Sequence, residues 1–354
     1  MKAKTKKSDI ARAIKLCVNA CNVKDPLRNN IQFMAGEDFL SLDSSNATYS
    51  VHATCPAVVD EEGVAFVDGK MSADIINKSV GDILFSTDAH SMIIKSCGRT
   101  KLPLIEKDFL GIENAKGANV ICDAGAFKSA IGRIKYAIAE DQSRVILTGA
   151  HIVTDGKKMT ITALDGFRLA QTEIECTGDS VDVVVPAPVL SAVCEAITEG
   201  TLSFFSDKGK LSFHSDGFII NAMALSGTYM DTTRLIPQVF KTQVLINRKD
   251  LFDMANTAVI ASGAGNLIKV DIEDGKIIMK SNSEQADFSG EVSADVQGEV
   301  FEVAFNLRYL LQAISMIPTE QIEINLVNNV SPAILVPHEA MNELHLILPV
   351  RVFQ

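Results

Sequence analysis

The stretch "HIVTDGKKMTITALDGFRLAQ", residues 151–171, contains two turn signals inside alternating apolar residues. Asp155-Gly156 between alternating runs is the strongest short signal for a β-hairpin. The second turn, Asp165-Gly166, is followed at once by an aromatic residue and an arginine. This turn is either an active-site loop or a binding surface. The stretch alone leaves both interpretations open, but the pattern around it recurs along the chain.

Two kinds of amphipathic helix are each predicted three times, from apolar residues at helical spacing. Ser8, Asp123 and Asn247 are interpreted as N-caps of the first kind of helix or as residues close to the N-cap. The first kind is predicted at 6–20, 123–139 and 247–261, and the second at 71–80, 186–197 and 306–317.

Each predicted helix is followed by two short runs typical of strands joined by a turn. These pairs are predicted at 33–44, 83–96, 151–163, 202–215, 268–281 and 322–335. Helix, hairpin, helix, hairpin thus recurs every ~118 residues, a usual domain size. We expect three domains, 1–118, 119–240 and 241–354, in an α+β fold of antiparallel strands and few helices.

Composition excludes several classes of protein. The 354 residues carry 33 basic and 44 acidic side chains, for a net charge of −11. No apolar run is long enough to cross a membrane, and the interrupted N-terminus is not a signal peptide, so a cytoplasmic location is expected. Seven cysteines without a CxxC pair predict neither a disulfide framework nor a zinc site. Cys17 and Cys21 are interpreted as small buried residues, and no metal or cofactor is expected.

The helix faces suggest where cations gather. Phe127, Ile131, Ile134 and Ile138 form one apolar stripe, and the basic residues beside it and on the first helix are Lys128, Arg133, Lys135, Arg12 and Lys15. Ordinary solvated faces would explain any single helix. A second interpretation explains the basic residues of all the repeated helices together. In it, the helices line one surface that faces phosphates, and the rest of the exterior is acidic.

Taken together, these features resemble the bacterial DNA sliding clamp family, the beta subunit of the replicative polymerase. The resemblance covers the whole chain. It is carried by "ITALDGFRLAQ" (161–171), "YMDTTRLIP" (229–237) and "LHLILPVRVFQ" (344–354), in the family's order.

The resemblance implies a ring of two head-to-tail protomers, with helices around a central hole and antiparallel sheets outside. Such a ring holds duplex DNA by topology and needs only weak, sequence-independent phosphate contacts. The implied partners are double-stranded DNA, the replicative DNA polymerase catalytic subunit, the clamp loader and other clamp-binding-motif proteins.

The resemblance also implies an apolar pocket for short partner peptides, commonly of the pattern Gln-x-x-Leu-Phe. Aliphatic walls would take the apolar side chains and arginines would orient polar atoms at the rim. A simpler interpretation is that Gly166 serves a tight turn and Arg168 pairs with Asp165, and the two are compatible. The pocket residues carried over by motif are Leu147, Leu164, Gly166, Phe167, Arg168, Leu169, Met230, Arg234, Leu235, Val330, Pro332, Leu348, Pro349, Val350 and Arg351.

The chain departs from the family pattern at several positions. Phe167 stands in place of a usual histidine, Met230 of a proline and Thr232 of a tyrosine, and Val352–Gln354 extend or vary the tail. These changes affect which peptide sequences the implied pocket would prefer. Five further cations are predicted to contact DNA. Four of them are expected in loops, namely Lys24, Arg28, Arg99 and Lys101, and the fifth is Arg144.

Val259, Ile260 and Ala261 resemble the third-domain face that meets the other protomer. The simpler interpretation is that Val259 or Ile260 belongs to the core.

Two other functions compete with a clamp. An enzyme is disfavoured because the sequence lacks GxSxG, a P-loop, HExxH and a GxGxxG that opens a helix. A diverged clamp-like scaffold would bind proteins without encircling DNA.

Overall fold

The structure is a computed structural model that describes residues 1–21, 25, 28–106, 109–340 and 342–351. The chain forms two compact units. Unit 1 comprises Met1–Lys128, Thr154–Lys157 and Glu175–Leu225, and unit 2 comprises Ser129–Val153, Lys158–Ile174 and Ser226–Gln354. None of the helices in the described ranges has the length and apolar character that crossing a bilayer requires.

Six α-helices and 26 strands occupy the described residues. The helices are Lys7–Asn19 (α1), Gly69–Lys78 (α2), Ala124–Ile134 (α3), Ala187–Ala196 (α4), Arg248–Ala258 (α5) and Leu307–Met316 (α6). The first strands are Lys2–Lys6 (β1), Asn30–Ala35 (β2), Phe39–Ser45 (β3), Tyr49–Pro56 (β4), Val58–Glu61 (β5), Gly63–Asp68 (β6), Asp82–Thr87 (β7), Ser91–Lys95 (β8) and Arg99–Pro103 (β9). The next are Ala118–Asp123 (β10), Gly149–Asp155 (β11), Lys158–Leu164 (β12), Arg168–Gly178 (β13), Ser180–Pro186 (β14), Thr201–Asp207 (β15), Lys210–Ser215 (β16) and Phe218–Met223 (β17). The last are Thr242–Asn247 (β18), Leu267–Glu273 (β19), Lys276–Asn282 (β20), Asp287–Ser293 (β21), Asp295–Gly298 (β22), Phe301–Asn306 (β23), Gln321–Leu326 (β24), Ala333–Pro337 (β25) and Glu343–Ile347 (β26).

Unit 1 contains two antiparallel sheets. One has the order β5-β1-β7-β8-β9, and the other runs β6-β2-β3-β4-β17-β16-β15-β10. The helix α1 buries Ile10, Ile14 and Cys17. The rings of Phe33 and Phe85 are fully buried and lie 5.7 Å apart. Burial of such side chains contributes about 1.5–3 kcal/mol each, which ties the helices to the sheets.

Unit 2 also contains two antiparallel sheets. Strands β18, β24, β25 and β26 pair in that order, and β26 pairs with residues 168–172 of β13. The second sheet has the order β21-β20-β19-β23, with β21 at an edge. Helices α5 and α6 bury Leu251, Leu310 and Ile314 in one apolar core with strands of both sheets.

The predicted secondary structure is confirmed in outline. All six predicted helices are present, and each predicted hairpin corresponds to two neighbouring strands. Asn247 caps α5, and Asp123 Oδ1 accepts a hydrogen bond from the Ala126 N–H. Ser8 lies near the start of α1 but does not cap it: β1 ends at Lys6 and α1 begins at Lys7, so a strand residue without a side-chain cap bond occupies the N-cap position.

Candidate functional site

The turn at Asp165–Arg168 joins β12 to β13. The Asp165 carboxylate Oδ1 accepts hydrogen bonds from the N–H groups of Phe167 (2.9 Å) and Arg168 (3.1 Å). Gly166 adopts φ +96°, a conformation that favours glycine. This closed turn leaves the Phe167 side chain 60% exposed, while the Phe167 carbonyl accepts from the Leu348 N–H at 2.9 Å. The turn is therefore built to present one aromatic side chain.

Arg168 is held by internal contacts. Its Nε donates to Asp165 Oδ2 at 2.8 Å, and its Nη1 donates to Gln312. Its guanidinium lies 5.1 Å from the centroid of the Tyr136 ring and 4.3 Å from that of Tyr309. Only 11% of the side chain is exposed. The cation is thus bound within the protein, as the simpler interpretation expected.

A cleft of about 210 Å³ opens beside this turn, wholly within unit 2. Its apolar wall comes from β12, β13 and β26, from the turn at Asp165–Arg168, and from residues 230, 235, 332 and 348 outside the strands. The structure brings together nine of the predicted pocket residues here: Leu164, Gly166, Phe167, Arg168, Leu169, Met230, Leu235, Pro332 and Leu348. Such a concave apolar surface suits short aliphatic and aromatic side chains.

Two residues of the cleft were not predicted there. Leu346 lies on β26, and the alternation in "LHLILPV" would have placed it on the same face as Leu348. Arg144, predicted to touch DNA, lines this cleft. It is therefore the cleft's exposed cation, while Arg168 is held internally.

Six predicted pocket residues do not line the cleft: Leu147, Arg234, Val330, Pro349, Val350 and Arg351. Leu147 is a buried residue whose carbonyl accepts from the Ala139 N–H. Arg234 is exposed and pairs with Asp231 at 3.1 Å. Val330 is 60% exposed, and the Val350 N–H donates to the Ala304 carbonyl. The tail residues 352–354 lie outside the described residues.

A buried polar network lies on the opposite face of β26. Glu343 Oε2 accepts from Arg133 Nη1 at 2.7 Å, and its Oε1 lies 2.7 Å from His345 Nε2. The other ring nitrogen of His345 lies 2.8 Å from the Tyr136 hydroxyl. Burial raises the pKa of Tyr136, so its hydroxyl stays protonated. Since the Glu343 side chain is fully buried, Arg133 supplies the counter-charge that a buried carboxylate requires.

Other predicted DNA-binding cations are also engaged within their unit. Arg12 Nη2 donates to the Ala196 carbonyl at 2.6 Å, and Lys128 Nζ donates to the Ile197 carbonyl at 3.1 Å. These carbonyls lie at the carboxyl end of α4, where cations are favoured. Lys15 pairs with Glu195 of the same helix at 2.8 Å. Three predicted cations thus bind α4.

The remaining predicted cations lie in varied settings. Arg99 and Lys101 belong to β9, so their description as loop residues is wrong: the segment adds an edge strand to its sheet. Lys101 pairs with Asp88 at 3.1 Å, and Arg28 with Asp25 at 3.5 Å. Lys135 is exposed in a 3-10 turn, and Lys24 lies outside the described residues.

The predicted interface residues lie in a 3-10 turn that follows α5. Val259 is 44% exposed and Ile260 is 79% exposed, whereas Ala261 is 2% exposed. The simpler interpretation, that Val259 or Ile260 belongs to the core, is wrong. Two neighbouring exposed aliphatic side chains are available at this end of the helix.

The described residues offer little basis for metal or thiol chemistry. Among them, no three His, Cys, Asp or Glu side chains gather as a metal site would require. Burial raises the pKa of Cys122 to about 12 and that of Cys21 to about 12, so these thiols are poor nucleophiles.

Comparison with known proteins identifies the family. The model of the DNA polymerase III beta subunit, central domain, matches residues 122–231, and that of its C-terminal domain matches residues 233–351. The beta sliding clamp of Staphylococcus epidermidis is 25% identical over 349 residues, which cover 93% of each chain. The chain belongs to the DNA polymerase III beta subunit, or beta sliding clamp, family. The Staphylococcus aureus beta sliding clamp is 24% identical over the same share of each chain.

Solved structures show the sliding clamp fold. The Bacillus subtilis sliding clamp aligns over 100% of both chains with a TM-score of 0.94 at 21% identity. The Pseudomonas aeruginosa sliding clamp bound to griselimycin aligns over 99% of this chain and 100% of its own, with a TM-score of 0.96 at 20% identity. The predicted α+β fold with antiparallel sheets is confirmed. Beta sliding clamps are non-catalytic processivity factors, which removes the enzyme interpretation.

Proposed function

We propose that this clamp-family protein is a working DNA sliding clamp. Two protomers form a head-to-tail ring around duplex DNA, tether the replicative polymerase for processive synthesis, and recruit partners through the cleft of unit 2. The observation that carries the proposal is the cleft itself. A turn held by Asp165 presents Phe167 beside the apolar wall of Leu169, Leu235 and Leu346, as a peptide-docking site requires.

We propose three clamp domains, 1–118, 119–240 and 241–354. The thrice-repeated order of helices and hairpins supports this division. The family models match 122–231 and 233–351, close to the second and third of these ranges. The two compact units divide the chain at other points, within the proposed central domain.

Edge strands of opposite charge support the head-to-tail ring. In unit 1, β9 is an edge strand with Arg99 and Lys101 exposed. In unit 2, β21 is an edge strand with Asp287 and Glu291 exposed. We propose that β9 of one protomer pairs with β21 of the next, and that Val259 and Ile260 supply apolar contact there, whereas Ala261 is buried within its own chain. Two different surfaces then meet, which defines a heterologous contact.

The charge of the helices supports DNA in the ring. Across the described residues the six α-helices carry ten basic and five acidic side chains, a net charge of +5, while the whole chain carries −11. We propose that the helices face the DNA and that exposed cations such as Lys135 contact phosphates. Of the other predicted DNA cations, Arg12, Lys128 and Arg133 already hold the fold together.

The proposed partners are duplex DNA without sequence preference, the replicative polymerase catalytic subunit, a clamp loader and other proteins that carry a clamp-binding peptide. No cofactor or metal enters the proposal. The protein would work in the cytoplasm, where bacterial DNA is replicated.

Binding of a fluorescent Gln-x-x-Leu-Phe peptide tests the cleft. We expect micromolar affinity for the full chain. Phe167→Ala should weaken binding by about tenfold, because it removes a large exposed contact of the kind that dominates such sites. Val239→Ala is the matched control, because Val239 is 76% exposed and does not line the cleft. A chain truncated after Leu348 tests the contribution of the tail.

The alternative function is a diverged scaffold that binds proteins and no longer encircles DNA. Such a scaffold would also bind the Gln-x-x-Leu-Phe peptide, but native mass spectrometry would show a monomer. A dimer of about twice the chain mass, together with peptide binding, supports the clamp. Absence of peptide binding would contradict the proposed cleft.

A further inference from the structure

A second cavity, of about 500 Å³, lies in unit 2 beside the peptide cleft. We call it the strap cavity, because the segment 236–240 covers one side of it. Its floor is a sheet face that includes Gln171 of β13, Leu344 of β26 and Val336 of β25. No part of the proposed function uses this cavity.

The strap cavity continues the surface that forms the peptide cleft. On β13, Leu169 lines the cleft and Gln171 lines the cavity, and on β26, Leu346 lines the cleft and Leu344 the cavity. Residues two apart on a strand lie on one face, about 7 Å from each other. Leu235 lines the cleft, and the next residue along the chain lines the cavity. A bound peptide can therefore reach the cavity within a few residues of its apolar motif.

The walls of the strap cavity combine apolar surface with carboxylates. Ile236, Pro237 and Phe240 supply apolar surface from the strap. Glu323 Oε1 lies 2.6 Å from His338 Nδ1, and Glu339 lies 3.8 Å from the other nitrogen of that ring. Among the described residues, both carboxylates therefore share one ion-pair partner, the imidazole of His338.

Two further carboxylates line the cavity: Glu173 pairs with Lys158 at 3.2 Å, and Glu343 pairs with Arg133 at 2.7 Å. Neither Lys158 nor Arg133 lines the cavity, and every ionisable residue of the lining is a glutamate. An acidic ligand would be repelled from this wall, whereas a basic ligand would add a favourable ionic contact.

We propose that the strap cavity binds a basic flank of the partner peptide, with a lysine or arginine head at Glu323 and Glu339. The alkyl stem of that side chain would pack on Pro237 and Phe240, as long cationic side chains do on apolar surfaces. Arginine should bind better than lysine, because its guanidinium matches a carboxylate with two parallel hydrogen bonds. The inference rests on the proposed peptide cleft and names the partner chemistry next to the apolar motif.

Three sets of fluorescent peptides test this inference. One carries the Gln-x-x-Leu-Phe motif alone, and the others add Arg-Ser-Arg or Glu-Ser-Glu after a short Gly-Ser spacer, at either end. We expect the basic extension at one end to raise affinity by about fivefold, as a partly exposed ion pair allows. The acidic extension should give no gain. The gain should shrink as salt screens the charges.

Variants of the cavity separate this gain from general attraction to an acidic protein. Glu323→Gln combined with Glu339→Gln should abolish the gain and leave the affinity of the motif alone unchanged. Glu284→Gln, an exposed glutamate that does not line the cavity, is the control and should keep the gain. If the motif binds normally but the basic and acidic extensions give equal affinity, the inference about the strap cavity is wrong and the proposed peptide cleft still stands. Failure of the motif itself to bind would overturn the proposed cleft and this inference with it.

Discussion

Replacing Arg133 with alanine should destabilise unit 2, because the buried Glu343 would lose its cationic partner. The Glu343 side chain is fully buried and contacts Arg133 and His345 at 2.7 Å each. Removing one partner of a buried ion pair costs about 3–5 kcal/mol. Since His345 remains and Arg133 is 25% exposed, we expect the lower end, about 3 kcal/mol.

In a unit of this size, each kcal/mol lowers the melting temperature by about 2–4 °C, so Arg133→Ala should lower it by about 6–12 °C. Differential scanning calorimetry measures this directly. Arg133→Lys retains the charge but loses the planar guanidinium, so its loss should be smaller. Lys135→Ala, two residues along and exposed, is the matched control and should leave the transition unchanged. An Arg133→Ala transition that coincides with that of Lys135→Ala would refute this reasoning.

Three further results are expected. Ile260→Glu should shift native mass from dimer to monomer, because Ile260 is 79% exposed in the chain and is free to contact the other protomer. The hydrogen bond to Asp43 raises the pKa of His52 above 6.5, so this pair stabilises unit 1 fully below pH 6.5 and loses the effect as pH rises through the raised pKa. His52→Gln should remove that part of the pH dependence in thermal scans. Lys128→Ala should lower the melting temperature measurably, because it leaves the Ile197 carbonyl without its cationic donor.

Matched controls accompany these variants. Val239→Ala changes an exposed aliphatic residue elsewhere, so it should leave the dimer intact. A His52 variant whose melting temperature follows the same pH curve as the unchanged chain would contradict the role of Asp43. Unchanged stability of Lys128→Ala would mean that the contact with α4 contributes little.

Local patterns predicted the elements of the fold, because hairpins and amphipathic helices are determined by neighbouring residues. The turn at Asp155-Gly156 and the α3 stripe from Phe127 to Ile134 illustrate this, and all of those stripe residues are buried. The cap of α1 was missed because the strand β1 runs directly into the helix at Lys7, which leaves no separate capping residue.

Partners that are distant in sequence explain what was missed at the candidate site. Arg133 meets Glu343 across 210 residues, and Tyr136 meets His345 across 209. No local pattern identifies such pairs, so nothing in the sequence indicated that Arg133 has an internal partner. The cleft was largely predictable because its turn carries a recognisable motif. The place of Arg144 in the cleft lining was not predicted, since spacing alone does not show which surface an arginine faces.

Topological retention on DNA tests the central claim most directly. The protein is allowed to thread onto linear duplex DNA, the ends are blocked with streptavidin, and the complex is washed in salt that screens phosphate contacts. The clamp account predicts that the protein stays bound after the wash and is released when a restriction enzyme cuts the DNA between the blocks. Loss of the protein during the wash, from blocked and open DNA alike, would contradict a ring that encircles DNA.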